Sequence, residues 1–253
     1  MKNIVLITGV CGGIGSATAR LFRNEGWQVI GIDRTENKDV EQYTDVFIKS
    51  DISETKNIDH IFSCIKEAGI SYLNALVNLA AVQVAKNIVD TTEDEWDYVF
   101  NSNIKSVFNS VKKSHPLLKE GKGVIVNISS VHAYATSRGI SAYAASKGAL
   151  LAYTRSLALE FITDGIRVNC IIPGAINTNM LVDGLVRGSE GFETTQVLLD
   201  NLGLRHPINR VGEPEEVASL IHFLSDNTKS SFITGQSFII DGGALAQLST
   251  EVY

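Results

Sequence analysis

The 253-residue sequence predicts an α/β domain built on a doubly wound parallel sheet, and three observations carry that prediction. Short β-branched runs alternate with longer helical patterns along the whole chain. Several runs are apolar without alternation, as strands covered by helices on both faces must be. A glycine-rich turn, T-G-V-C-G-G-I-G from Thr8 to Gly15, follows the first run directly and opens a helix.

The runs lie at 4–7, 28–32, 46–49, 75–78, 123–128, 167–172 and 237–240, which predicts seven strands. Helical periodicity falls at 14–26, 54–68, 93–118, 142–163 and 214–225. Thr92 with Glu95 forms a capping-box start for the third helix, and Pro214 suits the first turn of the last. From about Asn177 to Pro207 the pattern breaks into a stretch rich in Gly, Thr, Asn and charge, with weak helical periodicity at 180–186 and 196–202. An insertion that long inside a compact domain is expected to be functional, here a lid over the substrate.

Composition narrows the classes. With 44% hydrophobic residues and only 4 prolines, one core and a single domain over 1–253 are expected. A net charge of −6 with no basic run excludes a surface built for nucleic acid or anionic lipid. The apolar start ends at Gly9, too soon for a signal-peptide core, and nothing approaches the ~20 apolar residues that cross a bilayer. Cys11, Cys64 and Cys170 are odd in number and widely spaced, which fits reduced thiols in a cytoplasm and neither a disulfide framework nor a metal site.

Gly9, Gly13 and Gly15 have separate tasks in the turn: leaving the strand sharply, admitting a pyrophosphate to the backbone, and seating the helix on the sheet. The helix that starts near Ile14 offers unpaired N–H groups to the diphosphate. Asp33 ends the second run, where its carboxylate can accept from both adenosine ribose hydroxyls and repel a ribose phosphate. Arg34 argues the other way, because a guanidinium there could meet that phosphate. With Asp33 present and Gly12 in the turn, NAD is favoured over NADP. Asp51 and Ile52, after the third strand, either reach the adenine edge or form a solvated turn.

Tyr143 and Lys147, in S-A-Y-A-A-S-K, lie one helical turn apart on one face. A phenol titrates near ~10, too high for proton transfer at neutral pH, and the Lys147 ammonium is expected to lower it. Ser130 stands thirteen residues before Tyr143.

These motifs resemble the short-chain dehydrogenase/reductase family, in its single-domain branch, from residue 2 to about 243. The resemblance implies a Rossmann-type sheet, a nicotinamide cofactor, and hydride exchange with a secondary alcohol or carbonyl. It makes Tyr143 the general acid/base and Lys147 its partner, which also holds the nicotinamide ribose. Ser130, rather than Ser129, donates to the reacting oxygen, and Asn103 in F-N-S-N-I-K bends its helix to place a water near Lys147. It assigns the nicotinamide to Pro173, Gly174, Ile176 and Thr178, and the adenosine ribose to Asn78 and Ala80. Where the family carries N-N-A-G, this chain has Asn78-Leu79-Ala80-Ala81, so a modest backbone adjustment is expected at Ala81. A homotetramer or homodimer is also implied, in keeping with surplus apolar residues such as Leu150, Leu151, Leu157 and Phe161.

Gln83, His132, Ile140 and Asn179 are candidate pocket walls. Gln83 and His132 resemble the carboxylate-binding pair of family members acting on small 3-hydroxy acids, but Ile140 and Val182 replace that clamp's lysine and second glutamine. Both residues have a second reading, as helix-start and loop residues satisfied by backbone. The expected substrate is a small polar secondary alcohol, sugar- or polyol-like. The alternatives are an NADPH-dependent 3-oxoacyl or carbonyl reductase, a 3-hydroxy acid dehydrogenase, and a non-catalytic NAD-binding sensor.

Overall fold

The computed structural model describes residues 2–188 and 194–247. Seven parallel strands form one sheet in the order β3-β2-β1-β4-β5-β6-β7. They are β1 (Ile4–Thr8), β2 (Gln28–Asp33), β3 (Val46–Lys49), β4 (Ala75–Asn78), β5 (Val124–Ile128), β6 (Arg167–Pro173) and β7 (Ser237–Ile240). The order reverses between β1 and β4, so a crevice opens beyond the carboxyl ends of those two strands, where doubly wound sheets bind their ligands.

The helices are α1 (Gly13–Asn24), α2 (Lys38–Glu41), α3 (Thr55–Glu67), α4 (Glu93–Phe100), α5 (Ser106–Gly121), α6 (Ser141–Glu160), α7 (Asn179–Gly188), α8 (Thr195–Gly203), α9 (Pro214–Ser225) and α10 (Asn227–Ser230). Alternate residues of β1 feed two cores: Ile4 and Leu6 pack with α3, α5 and α6, whereas Val5 and Ile7 pack with α1 and α9. Strand pleating sends successive side chains to opposite faces, and this is why the inner strands read as unbroken apolar runs. The expected capping box forms at Thr92 with Glu95 and Pro214 opens α9 as expected, where a second box, Glu213 with Glu216, adds to it.

One expectation changes. The helix predicted over 93–118 is two helices joined by a π-helical turn, Asn101–Lys105, and it runs on to Gly121. The weak helical periodicity in the stretch read as a lid forms α7 and α8, while its centre, 189–193, lies outside the described residues. Ala81 does not occupy the left-handed region: among the described non-glycine residues, positive φ occurs at Lys122 and Asn209.

A polar row crosses the apolar sheet. Thr8, Asn78, Asn127 and Cys170 are successive register partners on β1, β4, β5 and β6. Asn78 Nδ2 donates to Asn127 Oδ1 at 2.9 Å, Ser110 of α5 donates to Asn78 Oδ1 at 2.7 Å, and Asn127 Nδ2 donates to Thr154 of α6 at 3.0 Å. All four side chains are buried, so each depends on the others for satisfaction. Asn127→Leu, similar in size, would strand the Asn78 amide and the Thr154 hydroxyl. We expect it to destabilise the fold by about 2–4 kcal/mol, read from urea unfolding at unchanged m.

Candidate active site

The crevice is lined first by the glycine turn. Gly9 has φ +69°, and a Cβ there would lie 2.7 Å from the Ala80 nitrogen. The turn leaves β1 against the backbone that leaves β4, and the Thr8 hydroxyl fixes this contact by accepting from Leu79 N at 3.2 Å and Ala80 N at 3.3 Å. A Cβ on Gly13 would lie 2.7 Å from Thr178 Cγ2, so the start of α1 and the start of α7 face each other across a gap closed by any side chain. Ile14 follows in the first turn of α1, whose N–H groups are free to bind an anion. Gly15 packs on the turn itself: a Cβ there would lie 2.2 Å from Gly9 O.

Asp33 closes one end of the crevice. Its Oδ2 accepts from Cys11 N at 2.9 Å, and its Oδ1 accepts from the Thr35 N–H and hydroxyl, each at 2.9 Å. A carboxylate so held has three of its roughly four lone-pair sites occupied and keeps one, on Oδ2, for a further hydroxyl donor. Arg34 Nη1 reaches away along the chain to donate to Tyr98 on α4 at 2.5 Å. Asp51 accepts from Ser53 N at 2.9 Å and from its hydroxyl at 2.6 Å, which makes it a turn former; Ile52 beside it is buried. A cradle in which a Cβ fits at neither Gly9 nor Gly13, ending at a fixed carboxylate, suits a dinucleotide.

Asn78 is corrected. Its side chain points into the polar row under the sheet rather than to a ribose, and Ala80, through its backbone, is the residue that borders the turn. At the other end Gly174 abuts Asp241, Gly174 N donates to Ile240 O at 2.9 Å, and Ile176 pairs with Gly212. Thr178 Oγ1 donates to Ile176 O at 3.2 Å and accepts from Leu181 N at the head of α7. These contacts hold Pro173 to Thr178 as one wall.

Ser130, Tyr143 and Lys147 come together where β5 ends. Ser130 extends from the strand as the cap of a 3-10 turn, Val131–Ala133, its hydroxyl accepting from His132 N at 3.3 Å, and it stands beside the Tyr143 phenol, whose pKa it pulls down. The Ser129 hydroxyl donates instead to Lys147 O at 2.7 Å, and so belongs to the scaffold. Lys147 Nζ donates to Ile128 O at 2.8 Å and lies 5.6 Å from the centre of the Tyr143 ring.

Burial overturns the expected tuning of the phenol. Tyr143 and Lys147 are only 8% and 3% exposed. Desolvation pushes the phenol up to about 12, with the Ser130 hydrogen bond pulling the other way. The same cause drops Lys147 to about 8. In the protein alone the cost of burying either charge exceeds what the pair gains from proximity, and Lys147, committed to a carbonyl, leaves the phenol to Ser130.

Asn103 sits inside the π-helical turn and is fully paired. Its Oδ1 accepts from Val82 N at 2.8 Å; its Nδ2 donates to Val82 O at 3.0 Å and to Ser146 Oγ at 2.9 Å. The helix is deformed there as expected, but the amide grips backbone and a serine.

Of the pocket candidates, His132 stacks edge-on to Tyr143 with ring centres 6.0 Å apart, and its Nδ1 is buried without a partner. That removes the backbone-satisfied reading of this ring. Burial lowers its pKa, so the imidazole is neutral at pH 7. Gln83 is half-buried one residue beyond the Val82 clamp, Ile140 is buried and bridges to Lys86 at the start of α6, and Asn179 is exposed on α7. Ser146, Ser129, Thr35 and Tyr98 were not legible as site residues; Ser146, standing between Tyr143 and Lys147, gave the nearest signal.

A family model described as "Enoyl-(Acyl carrier protein) reductase" matches residues 9–244. The chain belongs to the short-chain dehydrogenase/reductase family. It is 36% identical over 249 residues to a 3-oxoacyl-acyl-carrier-protein reductase of Thermotoga maritima, covering 95% of this chain and 97% of the relative. Identity to a meso-2,3-butanediol dehydrogenase of Serratia marcescens is 31% over 252 residues, covering 97% and 95%. The structure of an aldohexose dehydrogenase from Thermoplasma acidophilum superimposes with a TM-score of 0.90 at 29% identity, covering 100% of this chain and 97% of that one. As a short-chain dehydrogenase/reductase the chain is an oxidoreductase with a nicotinamide cofactor. Among the described residues no helix is long and apolar enough to cross a membrane, and no His, Cys, Asp and Glu cluster could hold a metal.

Two outcomes are expected from this geometry. Gly13→Ala drives a methyl into Thr178 and should weaken NADH binding at least tenfold by fluorescence titration, with little change in melting temperature. Lys147 gives a sign for stability. The unfolded chain holds its proton up to the ordinary value of 10.5, whereas the folded chain releases it at about 8, so its burial cost is complete below pH 8 and fades toward 10.5. Lys147→Met should therefore raise the melting temperature at pH 7, and calorimetry should find the gain shrinking between pH 8 and 10.5. A gain independent of pH would show that the ammonium is not desolvated.

Proposed function

We propose that this chain is an NAD-dependent oxidoreductase of small, polar, uncharged secondary alcohols and ketones, sugar- or polyol-like. The observation that carries the reading is the buried cluster of Ser130, the Tyr143 phenol and Lys147, with the ammonium 5.6 Å from the phenol ring, at the mouth of a crevice whose other end is Asp33. When bound, the nicotinamide supplies the hydride chemistry at its C4. The Tyr143 phenol holds the proton that the substrate oxygen takes up or gives back. The Ser130 hydroxyl donates to the same oxygen, and burial of both keeps water from competing. Lys147 holds the nicotinamide ribose, and Pro173, Gly174, Ile176 and Thr178 hold the nicotinamide itself.

NAD is favoured because Asp33 is fixed where a ribose phosphate would sit, while Arg34 is engaged by Tyr98. A neutral His132 beside the phenol and a buried Ile140 in place of a cation favour an uncharged substrate over a hydroxy acid. The names of the butanediol and aldohexose relatives are consistent with that class. α7 and α8 serve as the lid, the chain works in the cytoplasm with its three cysteines as free thiols, and it assembles as a homotetramer or homodimer. A second reading, an NADPH-dependent 3-oxoacyl reductase, rests on the identity to the Thermotoga reductase.

Purified protein is offered NAD+ or NADP+ with sugars, polyols, hydroxy acids and cyclic alcohols, beside a Tyr143→Phe control. Turnover with NAD+ and a polyol, reduced at least ~1,000-fold in the control, is expected; each 1.36 kcal/mol of lost transition-state binding is tenfold. Asp33→Ala should shift cofactor preference toward NADP+ by at least tenfold. Preference for NADP+ in the unaltered protein, with turnover of 3-oxoacyl thioesters, would replace this reading by the second.

A further inference from the structure

We propose that Ser146 is a positioning residue that fixes the Tyr143 phenol relative to the substrate wall, by joining the Asn103 amide to the turn of α6 that carries Tyr143. This rests on the reading of Tyr143 as acid/base. Ser146 is 0% exposed, and its hydroxyl is used in both senses. It donates to Tyr143 O at 2.7 Å and accepts from Asn103 Nδ2 at 2.9 Å.

The surrounding pattern gives this pair its meaning. Asn103 bonds the N–H and the C=O of Val82 together, as a neighbouring strand would, and has one N–H left for Ser146. Val82 immediately precedes Gln83. A continuous set of hydrogen bonds thus runs from the loop after β4, through the π-helical turn, to the Tyr143 carbonyl on α6. Three elements that approach the reacting oxygen from different parts of the chain are locked in one register.

Sequence economy supports the assignment. The first turns of α6 read S-A-Y-A-A-S-K-G-A, and alanine at 146 would suit a helix better than serine by about 0.5 kcal/mol. A mid-helix serine often bonds its own backbone three or four residues back, which slightly bends the helix, and this alone would be a local matter. Here the same oxygen also accepts from a second element, so the bend is tied to Asn103. A displacement of the phenol by a fraction of an ångström weakens proton transfer without weakening the grip on the cofactor, which is bound by other residues.

The test compares Ser146→Ala and Ser146→Cys with the unaltered full-length protein, reading kcat, KM, the NADH dissociation constant and the melting temperature. Loss of one neutral hydrogen bond corresponds to roughly a two- to tenfold effect. Ser146→Ala is expected to lower kcat about five- to tenfold, with KM and NADH affinity within twofold. Ser146→Cys, which keeps the volume and a weaker donor and acceptor, should fall between. An alanine variant with unaltered kcat overturns the proposal, as does a fall in kcat that only parallels loss of NADH affinity and melting temperature. If Tyr143→Phe turns over as fast as the unaltered protein, the acid/base reading fails instead, a result separate from either Ser146 variant.

Discussion

The site depends on a reciprocal contact between the end of one strand and one residue of the helix that follows it. Lys147 gives its ammonium to Ile128 O and receives the Ser129 hydroxyl on its own carbonyl. Donor and acceptor of one residue are thereby bound to the last residue of β5, Ile128, and to Ser129 just beyond it, and the next residue, Ser130, stands beside the phenol. Backbone and side chain each lock the other: α6 cannot rotate or slide along β5 without breaking both bonds in a space that water does not reach.

That rigidity carries an electrostatic cost. A lysine and a tyrosine buried together, with no carboxylate beside them, are both held toward their neutral forms. Apart from His132 Nδ1, the polar groups named around the pair are satisfied within the protein: Ser110, Asn78, Asn127 and Thr154 form their own chain, and Asn103 is held by Val82 and Ser146. Thr8, at the edge of that row, hands the same order to the glycine turn. The glycine turn and the Ser130–Tyr143–Lys147 cluster are thus built on one layer of polar residues threaded through an apolar sheet.

Much of this was readable in the residue order because the signals are local. A glycine turn between strand and helix, a tyrosine and a lysine one turn apart, and an aspartate closing a strand each declare themselves within a few residues, and the helix capped by Thr92 and Glu95 begins where they say. What escaped depends on distant partners. Asn78 looked like a ribose contact, yet its fate is set by Ser110 and Asn127, dozens of residues away. The π-helical turn at Asn101–Lys105 has no period of its own, and Tyr98 meets Arg34 across 64 residues. The sign of the phenol shift was missed because proximity of Lys147 is visible in a helix pattern, whereas depth of burial is a property of the whole fold.

The strand order also governs how the chain can be made. β1, synthesised first, lies between β2 and β4, and its partner Ala75 for Val5 is some seventy residues further along. At about 5–20 residues per second, a ribosome needs several seconds to deliver β4, and during that time the apolar Ile4–Thr8 edge has only half its final cover. The crevice between β1 and β4 is therefore the last inner seam of this half of the sheet to close. Folding should be slow and demanding of protection, as expected when parallel pairing depends on distant segments.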